Sequence, residues 1–188
     1  MSTLAPALSV LDLVPVRSDQ STGDALVATR GLASVADELG FHRYWLAEHH
    51  NMPAIAATNP PLLVAMVAAA TEQIRVGSGG VMLPNHAPLV VAEQFALLEA
   101  AYPGRIDLGI GRAPGTDQVT AWALRHGGGG VEDDAVARFP EAVANIIAML
   151  SPEGVGLRLA SGTHVLRATP RATSVPEVWL LGSSDYSA

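Results

Sequence analysis

Between Leu8 and Leu181 short apolar runs of strand length alternate with longer runs of helical periodicity, and each strand run closes in glycine, proline or a polar residue. Parallel neighbours need a long crossover between them, usually a helix, so this alternation constrains the chain to parallel βα units with helices covering the sheet. The strand readings are Leu8 to Val16, interrupted by Asp12 and closed by Pro15; Phe41 to Leu46; Ile74 to Val76, continuing beyond Gly77-Ser-Gly-Gly80 into Val81 to Leu83; Arg105 to Ile110; and Val178 to Leu181, read as a fifth buried strand. The first helix starts at a capping choice in Ser21-Thr-Gly-Asp24, carries Ala25, Leu26, Leu32, Val35, Ala36 and Leu39 at helical spacing, and stops at Gly40. Further helices are read over Leu62 to Thr71, Pro88 to Ala101, Val119 to Arg125 and Pro140 to Leu150. Leu157 to Ala168, turning at Ser161-Gly162, alternates as a β-hairpin, read as an insertion over residues 151–170 of one domain.

Composition narrows the function classes. A chain of 188 residues, 49% hydrophobic and 15% charged, can bury one substantial core. The net charge of −7 and the lack of a basic cluster argue against nucleic acid or an anionic membrane as partner. With no cysteine, disulfides, thiolate metal sites and a cysteine nucleophile are excluded together. Neither a signal peptide nor an apolar run approaching 18 residues is read, so a cytoplasmic protein is expected. The helix from Leu62 to Thr71 is apolar all round, which points to a second partner surface such as another subunit.

Candidate chemistry gathers where strands end. Gly104-Arg-Ile-Asp-Leu-Gly-Ile-Gly-Arg-Ala-Pro-Gly-Thr-Asp117 delivers Arg112 to the end of a strand. Gly109 and Gly111 remove two side chains there, so a ligand or a second backbone can come close, and an arginine beside such a gap suits a phosphate; the bland reading is turn glycines and an arginine paired with a surface acid. A dinucleotide fingerprint fails on spacing, because Gly115 follows Gly111 by four positions and Pro114 stands where a helix should open. Gly79-Gly80 reads as a bulge or a place for a flat ligand face. Ala47-Glu-His-His-Asn51 follows the second strand; adjacent histidines on extended backbone point opposite ways, and no third ligand lies nearby in sequence, so a metal site is not favoured. Asp12 is read as structural, hydrogen-bonded by its neighbours. The loop from His126 through Glu132-Asp-Asp134 is read as solvated.

With His49, Gly79, Gly80, Arg112 and Ser183 all at strand C-termini, the pattern matches a TIM-type (β/α)8 barrel, here truncated after about five βα strands. Trp45-Leu-Ala-Glu-His-His50, Arg75-Val-Gly-Ser-Gly-Gly-Val-Met-Leu-Pro84 and Gly104 to Arg112, in this order and spacing, resemble the bacterial luciferase-like flavin monooxygenases. The resemblance covers essentially the whole chain. It implies that Arg112 grips the flavin phosphate, with Ser183 sharing it and Tyr186 approaching it. It implies that Gly79 and Gly80 form a third-strand bulge, a non-proline cis peptide, on which the flavin ring rests. His49 is then the proton-transfer histidine near the reactive edge, with Glu48 orienting its segment. The implied cofactor is reduced FMN supplied by a flavin reductase, or coenzyme F420, acting with O2 on a small organic substrate, in a homodimer. Gly111 stands where luciferase itself has a reactive cysteine, so neither light emission nor thiol chemistry is implied. The family barrel needs eight βα units, so this chain is read either as a truncated product or as one completed by a second molecule. The competing functions are a metal-dependent barrel hydrolase using His49, His50 and Asp12, and a non-catalytic fragment that only dimerises.

Overall fold

The computed structural model describes residues 6–113, 117–124 and 136–182. Strand β1 (Ser9–Asp12) leads into helix α1 (Thr22–Glu38), β2 (Arg43–Leu46) into α2 (Pro60–Ala68), and β3 (Arg75–Ser78) with β4 (Val81–Met82) into α3 (Pro88–Ala101). Then follow β5 (Ile106–Gly111), α4 (Gln118–Leu124), α5 (Phe139–Leu150), the strands β6 (Val155–Leu159) and β7 (Gly162–Leu166), and β8 (Glu177–Leu181). β1, β2, β3, β5 and β8 pair in that order, all parallel, and β4 also lies parallel to β5. This is the α/β wall of a (β/α) barrel, open on one side.

β3 and β4 are one barrel strand broken by an extra residue. Gly77 pairs with Asp107 and Val81 with Ile110, so the third strand advances four residues while β5 advances three. The surplus is taken up at a cis Gly79–Gly80 peptide, the bulge expected there.

One face of the sheet is sealed by helices. Tyr44, Leu46, Val76, Ile106, Leu108 and Ile110 are fully buried in a core shared with Val64 and Val67 of α2, Phe95 of α3 and Ile146 of α5. α1 begins on a reciprocal cap: Ser21 Oγ accepts from the Asp24 N–H, and the Asp24 carboxylate accepts from the Ser21 N–H. It stops before Gly40, whose φ of 73° suits glycine.

Several boundaries and faces differ from the sequence reading. The first strand is shorter than Leu8 to Val16, because the Asp12 carboxylate accepts the Val14 N–H at 2.7 Å and Val14 turns to a positive φ of 51°. α1 buries Ala25, Thr29, Ala33 and Ala36, leaving Leu32, Val35 and Leu39 exposed. Small residues let the helix sit close to the sheet, and the larger apolar ones fall on its flank. β8 is not a buried strand: among the described residues it pairs only with β5, and Trp179 and Leu180 are 39% and 56% exposed. β6 and β7 form a separate antiparallel hairpin, within the stretch read as an insertion. The loop from His126 to Asp134 lies outside the described residues.

Candidate active site

All the sheet strands run the same way, so their C-terminal ends make one rim. Three of the glycines beneath that rim admit backbone. A Cβ on Gly109 would collide with the Ser78 carbonyl, one on Gly77 with the Asp107 carbonyl, and one on Gly80 would meet the Gly109 carbonyl at 2.8 Å. Of the two sequence readings of Gly109, close approach of a second backbone is the one realised. Ser78 completes the junction: its Oγ donates to the Gly109 carbonyl at 2.8 Å and accepts from the Gly109 N–H at 3.0 Å. The cis Gly79–Gly80 peptide is wedged between the strands, since a Cβ at Gly79 would lie 2.7 Å from Leu11 Cδ1 and 3.1 Å from Trp45 Cβ. Gly111, by contrast, has only the Val81 carbonyl near its absent Cβ, at 3.6 Å. Gly111 pairs with Met82 on one side and Leu181 on the other, so Arg112, half-buried, leaves the sheet between the ends of β4 and β8.

The segment after β2 is tied down by a fully buried carboxylate. Glu48 Oε1 accepts from His50 Nε2 and from His86 Nε2, each at 2.7 Å, and Oε2 accepts from the Met82 N–H at 2.8 Å. Burial pushes this carboxyl up, but the hydrogen bonds from His86, His50 and Met82 outweigh it and hold the group below its ordinary value. Glu48 therefore orients its segment, as expected, through a partner in the loop after β4. His49 is placed by its own N–H, which donates to the Ala57 carbonyl at 2.7 Å. Its Nδ1 is buried without a hydrogen-bond partner, which costs free energy unless a ligand or water satisfies it. Asn51, at a φ of 55°, bonds the Asp117 side chain; the Thr120 hydroxyl and N–H, with this contact added, lower Asp117 to about 2.

Below the rim, the open face of the sheet carries a charged floor. Asp107 is fully buried and accepts from Arg43 Nε at 2.9 Å, Arg75 Nε at 2.9 Å, Arg75 Nη2 at 2.5 Å and Trp45 Nε1 at 3.0 Å. The same arginines reach Glu177 at 3.0 and 3.3 Å. Trp45 and Trp179 meet edge to face with centroids 5.7 Å apart, and the Arg43 guanidinium stands 4.7 Å from the Trp179 centroid.

The sequence profile of luciferase-like monooxygenases matches residues 7–188. The chain belongs to the luciferase-like monooxygenase family. A luciferase-like monooxygenase of Escherichia coli (strain K12) is 46% identical over 183 residues, which are 97% of this chain and 51% of that protein. The N-acetyl-S-alkylcysteine monooxygenase of Bacillus subtilis (strain 168) is 39% identical over 96% of this chain and 52% of its own length. The crystal structure of apo-MsnO8 superposes with a TM-score of 0.82 at 39% identity, covering 96% of this chain and 50% of that one. The chain thus spans about half the length of the relatives it matches, in line with a sheet that stops short of a closed barrel.

Within this luciferase-like wall, His49, Gly79, Gly80 and Arg112 all stand at or just beyond strand C-termini, whereas Ser183 and Tyr186 lie outside the described residues. Asp12 is not grouped with the histidines: its carboxylate is taken by Val14 N–H, by the Thr29 hydroxyl of α1 at 2.8 Å and by the Tyr44 hydroxyl at 2.5 Å. Among the described residues no cluster of three or more histidine, aspartate or glutamate side chains is arranged to hold a metal. Sequence reasoning missed His86 and the Asp107 floor. The two arginines on adjacent strands, Arg43 and Arg75, facing an aspartate inside an apolar strand, were the available signal for the latter.

Proposed function

We propose that this luciferase-like chain is the cofactor-holding part of a flavin-dependent monooxygenase that uses reduced FMN and O2 on a small organic substrate. The observation that carries the reading is the bulge at Gly79-Gly80, where four residues of the third strand face three of β5, packed against Trp45 and the Gly109 carbonyl at the rim where Arg112 and His49 also stand. The residues fit such a cofactor: a flat backbone patch, a cation at a strand end for a phosphate, and the unsatisfied His49 Nδ1 for a polar ring edge.

In this reading Arg112 holds the phosphate through charge-assisted hydrogen bonds, with Ser183 and Tyr186 as further phosphate contacts, and Gly79-Gly80 supports the ring. The flavin, when bound, supplies the electrons and the oxygen chemistry. His49 exchanges a proton through Nδ1, held in place by its backbone bond to Ala57 and by the anchored neighbour Glu48. Coenzyme F420 is the alternative, its phosphate meeting the same arginine. A flavin reductase is the proposed source of reduced FMN. A homodimer is proposed through the outer faces of α2 and α3, where Leu62, Met66, Val90 and Leu97 are exposed. No helix among the described residues is long and apolar enough to cross a membrane, and the proposed compartment is the cytoplasm.

The test is a titration with oxidised FMN and, separately, F420, followed by absorbance and flavin fluorescence. It is run on this chain alone and with three further family βα units supplied. Binding of one of the two, tightened by the added units, is expected; binding of neither by the completed barrel overturns the reading.

A further inference from the structure

We propose that the Trp45 indole is a pillar between the charged floor and the Gly79-Gly80 bulge, through which Asp107 sets the position of the shelf for the flavin ring. What the shelf carries rests on the proposed flavin reading. The pillar itself rests on packing and hydrogen bonding.

The side chain of Trp45 reaches both layers. Against the shelf, a Cβ on Gly79 would meet Trp45 Cβ at 3.1 Å and Cε3 at 3.3 Å, so ring and backbone leave too little room for a methyl group between them. Toward the floor, Trp45 Nε1 donates to Asp107 Oδ2 at 3.0 Å. That N–H is the one polar group of a tryptophan side chain, and its acceptor is fully buried. Turning the ring over would withdraw Cε3 from Gly79 and take the N–H away from Asp107, so one hydrogen bond selects one rotamer. Trp179, edge to face with centroids 5.7 Å apart, limits its tilt. Two leucines complete the support: Leu11 Cδ1 lies 2.7 Å from a Cβ on Gly79, and Leu181 Cδ1 lies 3.0 Å from one on Gly80.

The floor is built to fix geometry. Asp107 is gripped by Arg43 Nε at 2.9 Å and by Arg75 through Nε at 2.9 Å and Nη2 at 2.5 Å, and both arginines also reach Glu177. Two cations face two anions, so the four charges cancel. Buried ion pairs add little stability over apolar packing of the same shape, and setting a register is their best-attested use. What is fixed here is Oδ2, the oxygen that Arg43 shares with Trp45. Asp107 and Trp45 are thus positioning residues for the shelf, the first acting through the second.

The test joins amide hydrogen exchange of the flavin-free chain, read by NMR, to titrations with FMN and riboflavin of the chain completed as above, in wild type, Trp45→Phe, Asp107→Asn and Glu177→Gln. The Gly79 N–H, which donates to the Leu46 carbonyl at 2.8 Å, reports the shelf; the Val76 N–H, which donates to the Arg105 carbonyl at 2.8 Å, reports the strand below it. Trp45→Phe keeps a ring and removes the N–H. It should speed exchange at Gly79 roughly tenfold more than at Val76 and weaken FMN and riboflavin alike by roughly tenfold, the lower end for a hydrogen bond to a charged group. Asp107→Asn should weaken both ligands to the same extent, the double variant should lose no more than either single one, and Glu177→Gln should change neither readout. Equal acceleration at Gly79 and Val76 in Trp45→Phe, or unchanged riboflavin affinity in a barrel that binds FMN, overturns the pillar and leaves the flavin reading standing. Selective loosening at Gly79 in a barrel that binds no flavin supports the pillar and fails only the flavin reading. Should Asp107→Asn not fold, Trp45→Phe decides alone.

Discussion

Replacing Asp107 by asparagine removes the charge that organises the barrel floor while keeping its size. Asp107 takes three hydrogen bonds from two guanidinium groups and one from the Trp45 indole, all in a side chain with no exposure. Asparagine retains one acceptor oxygen and turns an NH2 toward a cation. Breaking a buried ion pair from one side costs about 3–5 kcal/mol because the remaining charge stays buried. Here Arg43 and Arg75 keep 16% and 18% exposure and retain Glu177, so part of their charge remains solvated or paired. The lower end, about 3 kcal/mol, is expected, equivalent to roughly 6–12 °C in Tm at this chain length. Equilibrium urea unfolding followed by tryptophan fluorescence measures it. Glu177→Gln is the internal control: its side chain is 49% exposed, and exposed pairs contribute only about 0–1 kcal/mol. If Asp107→Asn costs less than Glu177→Gln, the buried network does not hold the floor together.

The other predictions address the rim and its supports. Arg112→Ala should weaken FMN binding by about 1.5–3 kcal/mol and leave riboflavin almost unaffected; equal loss for both ligands in a fluorescence titration would remove the phosphate assignment. His49→Ala should spare flavin affinity and slow substrate oxidation by roughly 10²–10⁴-fold, read as kcat under saturating reduced flavin. Gly109→Ala drives a methyl into the Ser78 carbonyl, so it should destabilise by about 1–3 kcal/mol or abolish soluble expression, whereas Gly31→Ala, with open space around its Cβ, should not. Because the Glu48 carboxyl sits below its ordinary 4.5 when folded, its contribution is full above that pH and is lost as pH falls through the lower folded value. Acid unfolding of wild type and Glu48→Gln should therefore converge below pH 4.5, and curves that stay parallel there would contradict the assigned hydrogen bonds.

The sequence carried the wall of the barrel well where local signals agreed with the fold. α3 runs from Pro88 to Ala101 as read, because proline opens it and Tyr102-Pro103-Gly104 cannot continue it. The doubled glycine at 79 and 80 announced a bulge, and the register shows why one is needed: four residues of one strand face three of the next. Sidedness was harder. A strand such as β5, buried on both faces, has no polar alternation to say that Asp107 faces the arginines while Ile106 and Leu108 face the helices. Nor does apolar periodicity reveal that α1 packs through alanines, since Leu32 and Val35 look like better core residues. His86 was invisible for a different reason: its tie to Glu48 spans 38 positions, and only the fold closes that distance.

The connection into β8 sets an order of assembly. Trp45 pairs with Gly77, and Gly77 with Asp107, each about 30 residues further on, but Asp107 pairs with Glu177 about 70 residues further on, across α4, α5 and the hairpin. Each doubling of a closing loop costs roughly 0.6 kcal/mol more in chain entropy, so that last step is the dearest by about 0.7 kcal/mol. Glu177 and Trp179 also bring the final contacts to Arg43, Arg75 and Trp45. Loop-closure entropy therefore favours pairing of β1 to β5 as neighbours before β8 docks, and Arg43 and Arg75 are expected to gain Glu177 and Trp179 only after the strand that carries Asp107 is in place.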